Sequence, residues 1–335
     1  MEIFTRPCPP WLAPLQPYAE IIAKTCNLPS LPQHIHQILG AFVVYHVIYL
    51  FISPVLSKLL VPQFYNKFPR RTQVNWDVHV VSFVQSSFIC ALALWGMITD
   101  EERKKAAAVP GDDAIYYRVF GYTVTGAAVQ GYATGYFLWD LMISVYYVSI
   151  MGWGFVAHAV SALAVFALGF KPFVNYYAPI FILFELSSPF LNIHWFCDKL
   201  NLSGSIYQLI NGFCLLGTFF CCRLLWGTYN SVLVFRDIFW VYAHPPPAEG
   251  HAFAGKTVPL WLAIIYLGSN LLLNGLNYWW FSRMIQTVSA RFKTPKEGTA
   301  AKEKILVEGT KVDLTTAAEV VAAGKQQARK RSAKN

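Results

Sequence analysis

The stretch Phe184-Glu-Leu-Ser-Ser-Pro-Phe-Leu-Asn192 lies inside an apolar run from about Tyr176 to Phe196, and its reading decides the fold. Crossing a bilayer takes about 20 apolar residues, and this run supplies them on both sides of a carboxylate and a proline. An ionisable side chain at membrane depth is costly, so Glu185 is expected to face a protein interior rather than lipid. Pro189 cannot donate a backbone hydrogen bond to the carbonyl of Glu185, four residues back. The polar break this makes, with Ser187, Ser188 and Asn192 beside it, is tolerated only where protein or a water-filled cavity covers it. Glu185, Ser188 and Asn192 share one helical face by their i, i+3 and i+7 spacing. A pocket and a plain helix kink are both open readings of that face.

Outward from this span, the same length criterion finds others at about Ile38–Leu60, kinked near Pro54, and at about Val78–Ile98, Val119–Val148 and Gly154–Phe170. Two more run at about Ile206–Trp226 and Val258–Arg283; the segment Ser231–Tyr242 is too short to cross alone and either extends the sixth span or re-enters. The fold class is therefore all-α, a polytopic transmembrane helix bundle of about seven spans, with six and eight as the bounds. Composition agrees: the 335 residues are 55% hydrophobic and only 13% charged, where a soluble domain carries about 25%. A soluble enzyme, a secreted disulfide scaffold and a disordered chain are excluded.

The chain divides into a Pro-rich N-terminal arm (1–36), a first span with a basic loop (37–73), a core domain (74–290) and a basic tail (291–335). Seven prolines in the arm forbid a long helix there. The tail holds 11 of the 27 Lys and Arg, and reads as mostly disordered with a helical stretch near Leu314–Ala323. Most of the net charge of +9 sits there, which suits a cytosolic extension near anionic headgroups. No aromatic and basic platform accompanies it, so nucleic acid is not an expected partner. With seven spans, Lys58, Lys67, Arg70, Arg71 and Lys199 share one side with Arg283 and the tail, which makes the C-terminus cytosolic. Of seven cysteines, most lie in apolar runs, and only Cys8 and Cys26 are candidates to pair. No CxxC pair or histidine-rich spacing appears, so neither a metal site nor a cofactor is expected.

The ionisable residues at membrane depth are the functional pointers: His46, His79, Asp140, His158, Glu185, His194 and Arg223. Asp140, Glu185 and Arg223 invite a charge-paired interior, either an ion pair that holds three helices together or a polar lining for a headgroup or a proton. His158 is a candidate general base or acyl-accepting nucleophile, set against the commoner role of a hydrogen-bonded packing residue. The candidate pocket is Asp140, Glu185, Ser188, Asn192, His194 and Arg223, with His158 as the catalytic candidate.

Taken in order, these segments resemble a TLC domain, the family named for TRAM, Lag and CLN proteins. The resemblance spans about Val74 to Arg283. It rests on Asn75-Trp76 with Val80-Val81-Ser82, on Gly135-Tyr136 with Asp140-Leu141, and on His158 with Ser161. Its most specific parts are Glu185 to Asn192 followed by Trp195-Phe196, and Asn211-Gly212 with Phe219 to Arg223. The pattern is closer to the small TLC-domain transmembrane branch than to ceramide synthases. The resemblance implies a multi-pass protein of the endoplasmic reticulum or a related endomembrane, acting in lipid homeostasis, with sphingolipid chemistry in one branch. Ceramide synthases transfer an acyl group from acyl-CoA using adjacent histidines, and here that pair reads Ala157-His158. Gln85 stands where a further histidine is expected in the second span, and Glu185-Leu-Ser-Ser replaces their His-Asp pattern.

The leading expectation is a protein that binds a membrane lipid or acyl chain in an intramembrane cavity. The rivals are an acyl-CoA-dependent N-acyltransferase using His158, with acyl-CoA as its only co-substrate, and a cargo or translocation-associated receptor. A homo-oligomer is compatible with each.

Overall fold

A computed structural model describes residues 1–292, 304–307 and 310–313. The helices α1 (Leu31–Leu60), α2 (Arg70–Thr99), α3 (Val124–Tyr146), α4 (Trp153–Leu168), α5 (Asn175–Lys199), α6 (Ile206–Ala243) and α7 (Leu260–Phe292) form the bundle. Five of them are long and apolar enough to cross a bilayer, and α4 is a shorter apolar helix. The all-α, multi-pass bundle expected from the sequence is what the chain forms.

Successive helices run between two ends. At one end, Ser30 Oγ donates to the carbonyl of Phe170 at 2.8 Å, and the Val174 N–H donates to the carbonyl of Val119 at 2.7 Å. At the other, Arg71 Nη2 donates to the carbonyl of Ile150 at 3.1 Å, and Trp76 packs against Trp195 and Phe196 with ring centroids 6.0 and 4.8 Å apart. These are called the Ser30 end and the Arg71 end below.

Ile89, Leu92, Trp139, Phe173 and Leu262 are fully buried in the main core, while Phe51, Leu60, Phe213, Ile264 and Leu271 are exposed. Lipid is as apolar as the buried side chains, so close packing rather than removal from water holds such a bundle together. Closest approach is between α1 and α3. A Cβ on Gly135 would fall 2.3 Å from the Ile38 carbonyl oxygen and 2.8 Å from the Ala41 Cβ, so only glycine lets these backbones meet.

Near the Ser30 end, Asp237 is completely buried and accepts from Arg118 Nε at 2.5 Å, Arg118 Nη2 at 3.0 Å and the Tyr177 hydroxyl at 2.6 Å. Arg236 Nη2 adds a fourth donor at 3.0 Å. This ties the connecting helix Asp113–Phe120 to α6 and α5. The hydrogen bond to Asp237 raises the pKa of Arg118 above its ordinary value.

Local features of the arm depart from the sequence expectation, and others decide what it left open. The arm is not irregular throughout: it holds a helix at Gln16–Cys26, and α1 begins at Leu31 rather than Ile38. Pro17 and Pro32 sit in the first turns of these helices, where a missing N–H costs nothing. Cys8 and Cys26 are free thiols. The sixth span does not stop at Trp226. A π-helical segment, Phe219–Trp226, carries α6 on through Ala243 as one helix of 38 residues, about 57 Å at 1.5 Å per residue and so longer than a hydrocarbon core of about 30 Å. In the tail, Lys304–Val307 and Thr310–Asp313 pair as antiparallel strands with Ile305 opposite Val312; the expected helical stretch Leu314–Ala323 lies outside the described residues.

Candidate functional site

The site begins with the break in α5. Residues Ile182–Ser187 form a 3-10 helix, a tighter winding in which the Ser188 N–H reaches back to the Glu185 carbonyl. Pro189 was expected to leave that carbonyl free; the local change of winding keeps it bonded instead. The carbonyl that turns to a side chain is the one before it. Arg223 Nε donates to the Phe184 carbonyl at 2.7 Å and to Ser187 Oγ at 3.0 Å. Its Nη2 donates to Ser188 Oγ at 2.9 Å and its Nη1 to Asn277 Oδ1 at 3.2 Å. Three residues further along α6, Trp226 Nε1 donates to the Ile180 carbonyl at 3.2 Å. Arg223 therefore grips the 3-10 turn on which Glu185 sits, and does so from the π-helical part of α6. A π segment re-aims side chains relative to a regular helix, and such segments recur at functional sites.

On the other side of that turn is a cavity of about 70 Å³, lined by residues of five helices. Its polar wall is Asn75, His79 and Ser82 of α2, Tyr136 and Asp140 of α3, and Glu185, Ser188 and Asn192 of α5. His158 of α4 joins them, and Val78, Met151, Phe155 and Trp280 form the apolar remainder. A water needs about 10–15 Å³ on this measure, so the space suits several waters or the polar end of a larger molecule.

Within the wall, Asn192 Nδ2 donates to Ser82 Oγ at 3.1 Å, which leaves Asn192 Oδ1 as the acceptor facing His79 Nδ1 at 2.6 Å. That arrangement places the proton of a neutral His79 on Nδ1 and makes Nε2 its basic nitrogen. The ring is held flat against Trp195, with centroids 4.2 Å apart and planes 20° from parallel. His158 is positioned differently. Its ring meets Trp280 and Phe137 edge to face, at 5.5 and 6.2 Å, and its buried Nδ1 has no hydrogen-bond partner. The Nδ1 of His36 is also buried without a partner, so it is the place of His158 in the cavity wall that makes it a candidate.

Of the residues singled out from sequence, Asp140, His158, Glu185, Ser188 and Asn192 come together in this one wall. Arg223 stands behind it as the clamp on the Glu185 turn. His194 is not a lining residue; its ring lies toward Gly212 of α6, where a Cβ would be 3.6 Å from His194 Cε1. Two residues beyond Asn192 is about 200° around a helix, which turns His194 away from the face that Glu185, Ser188 and Asn192 share. Gln85 serves a structural bond, accepting from the Tyr45 hydroxyl at 2.5 Å. The histidine that α2 supplies to the cavity is His79. Sequence reasoning noted it at membrane depth without assigning it to the site; Asn75, Ser82 and Tyr136 entered only as motif residues, and Trp280 not at all. The spacing Asn75, His79, Ser82 was the available signal, because i, i+4 and i+7 residues face one way.

A helical bundle with a polar cavity among α2, α3, α4, α5 and α7 is the class of protein this arrangement defines. Residues 75–286 match the family model described as the TLC domain, and the chain belongs to that family. It is 37% identical over 304 residues to an uncharacterised TLC domain-containing protein of Schizosaccharomyces pombe, covering 89% of this chain and 96% of that one. It is 28% identical over 260 residues to topoisomerase I damage affected protein 4 of Saccharomyces cerevisiae, covering 76% and 84%. TLC domain-containing protein 4 of Homo sapiens is 28% identical over 187 residues, covering 55% of this chain and 66% of the human one. No solved structure matches it.

Proposed function

We propose that this protein acts in lipid homeostasis by holding the polar end of a membrane lipid or acyl-bearing molecule in the cavity between α2, α3, α4, α5 and α7. The observation that carries this reading is the cavity wall itself: two carboxylates and two imidazoles converge at membrane depth opposite an apolar face of Val78, Met151, Phe155 and Trp280. Such a mixed lining matches an amphiphile, whose head needs hydrogen-bond partners and whose chain does not. Ionisable groups inside a bilayer are costly, and a wall that gathers four of them suits a polar occupant, be it water or a ligand. The reading places the protein in the endoplasmic reticulum or a related endomembrane, with the Arg71 end and the tail in the cytosol.

A second reading, acyl transfer, is favoured by one specific feature, the partnerless Nδ1 of His158 in the cavity wall. In that reading the imidazole attacks the carbonyl carbon of an acyl-CoA thioester, the thiolate leaves, and an amine then takes the acyl group from the imidazole while His79 or a carboxylate accepts the amine proton. One experiment separates the two. Cells lacking the protein are profiled for lipids and rescued with wild type or with His158→Ala at matched abundance. Restoration by both supports lipid holding. Restoration by wild type alone makes His158 chemical. No lipid change in the deletion overturns both readings.

A further inference from the structure

The cavity has a mouth, and one element closes it. Asn75 lies early in α2 and Met151 ends the short turn Val148–Met151 between α3 and α4, so these two lining residues mark the Arg71 end of the cavity. Met151 is buried and Ile150 packs on the main core, and the side-chain hydrogen bond on the turn's outer side is exposed: Arg71 Nη2 donates to the Ile150 carbonyl at 3.1 Å. The turn joins α4 through Gly152, whose φ of 95° and ψ of 162° lie where only glycine is comfortable. Nothing lies within 4 Å of where a Cβ on Gly152 would be, so no side chain packs against this joint. A short turn with a glycine joint, an exposed tether and a methionine over the cavity has the construction of a gate.

The charges around the tether indicate what would open it. Arg70 precedes Arg71 at the start of α2, and both are exposed. Lys199 Nζ stands 5.3 Å from the Trp195 ring, the ring on which His79 of the cavity stacks. Beside them Tyr65, Trp76 and Trp195 form a buried aromatic cluster with Phe68 and Phe196 packed on it, the pairing of aromatic and basic groups found at headgroup depth. An arginine binds phosphate through charge-assisted, two-pronged hydrogen bonds, and these are stronger than its bond to a neutral carbonyl. Deeper in, Asp140 and Glu185 repel an anion, so a phosphate is held at the rim and cannot pass inward.

We propose that the turn Val148–Met151 is the entry gate of the cavity, and that Arg71 opens it by exchanging the Ile150 carbonyl for the phosphate of an anionic phospholipid. The proposal rests on the lipid-holding reading and adds to it a ligand class and a point of entry. The phosphate sits among Arg71, Arg70 and Lys199, and the part of the lipid nearest the head lies along Met151, Phe155 and Trp280.

The test uses the full chain in phosphatidylcholine nanodiscs carrying one of two probes with a photoreactive group near the head: phosphatidic acid, or diacylglycerol with the same chains. The readout is labelling of the segment 148–161, measured by mass spectrometry. Wild type is expected to favour the phosphatidic acid probe about tenfold, a ratio set by charge-assisted contacts. Arg71→Gln is expected to bring the two probes level, with an unchanged melting temperature, and Arg71→Lys to restore part of the preference. Gly152→Ala, with Arg71 intact, should reduce labelling by both. Equal labelling by the probes in wild type, or a preference that survives Arg71→Gln, overturns the gate while leaving the lipid-holding reading in place. Labelling by neither probe at 148–161, with exposed segments labelled normally, overturns the lipid-holding reading itself. Loss of phosphatidic acid labelling on adding inorganic phosphate overturns the phospholipid and leaves a free-anion site.

Discussion

Replacing Arg223 by methionine should loosen the turn that carries Glu185, and the cost can be worked from its contacts. Four hydrogen bonds from the guanidinium are lost: to the Phe184 carbonyl, Ser187 Oγ, Ser188 Oγ and Asn277 Oδ1. The two serine hydroxyls can rotate to other partners. The Phe184 carbonyl then keeps, of its side-chain bonds, only the long 3.5 Å one from Ser187 Oγ, the Asn277 amide oxygen loses its Arg223 donor, and each weakened buried acceptor costs about 1–3 kcal/mol. Methionine recovers part of the packing and removes the desolvation cost of a buried cation. The net loss expected is about 2–4 kcal/mol, equivalent to a fall of about 5–10 °C in melting temperature. Arg223→Lys retains the charge but cannot span partners on both α5 and α7, so it should lose about half as much. The assay is thermal unfolding of the detergent-solubilised full chain, its accessible thiols blocked beforehand, followed by a thiol-reactive dye that reports exposure of the buried Cys90 and Cys197. A methionine variant that melts with wild type would refute the claim that Arg223 holds the turn.

Asp237→Asn should lower the melting temperature through loss of the carboxylate that collects Arg118, Arg236 and Tyr177; about 3 kcal/mol is expected because charged donors are left behind. Arg118 has a pKa raised in the folded chain, so its contribution is complete below the unfolded value and lost only as pH rises through the folded one. Both lie far above neutrality. Melting temperatures measured across the neutral range should therefore show no step from this pair, and a step there that vanishes in Asp237→Asn would contradict it. Gly135→Ala should force α1 from α3, since its Cβ would meet the Ile38 carbonyl oxygen at 2.3 Å; a loss of about 1–3 kcal/mol is expected in the same dye assay. Asn192→Ala should free the His79 ring by removing its 2.6 Å contact, read as a second set of imidazole NMR signals in labelled protein.

The spans were legible because they rest on length and apolarity alone. The run around Glu185 also announced its own interior, since a carboxylate, a serine and an asparagine on one face need cover. What stayed hidden was anything set by departures from regular winding. Pro189 signalled a broken helix, but a 3-10 turn bonds the Glu185 carbonyl where a kinked α-helix would have freed it. The join of the two halves of α6 depends on a π segment that leaves no mark in hydropathy. His194 looked equivalent to Asn192 in the sequence and lies on a different face by two residues of rotation. His79 was visible as a buried charge-bearing group, but its place beside Asn192 is a contact between residues 113 apart in sequence, which no local pattern encodes.

The most direct test of the account is the lipid content of the full chain purified from its native membrane, compared with a variant whose cavity is filled. Ser82→Phe places a ring where Ser82 now faces Asn192 across the polar wall. At equal abundance and equal melting temperature, the account predicts that wild type retains a defined lipid class above the bulk membrane and that Ser82→Phe does not. The same lipid retained by both proteins, or none enriched on wild type, would contradict it.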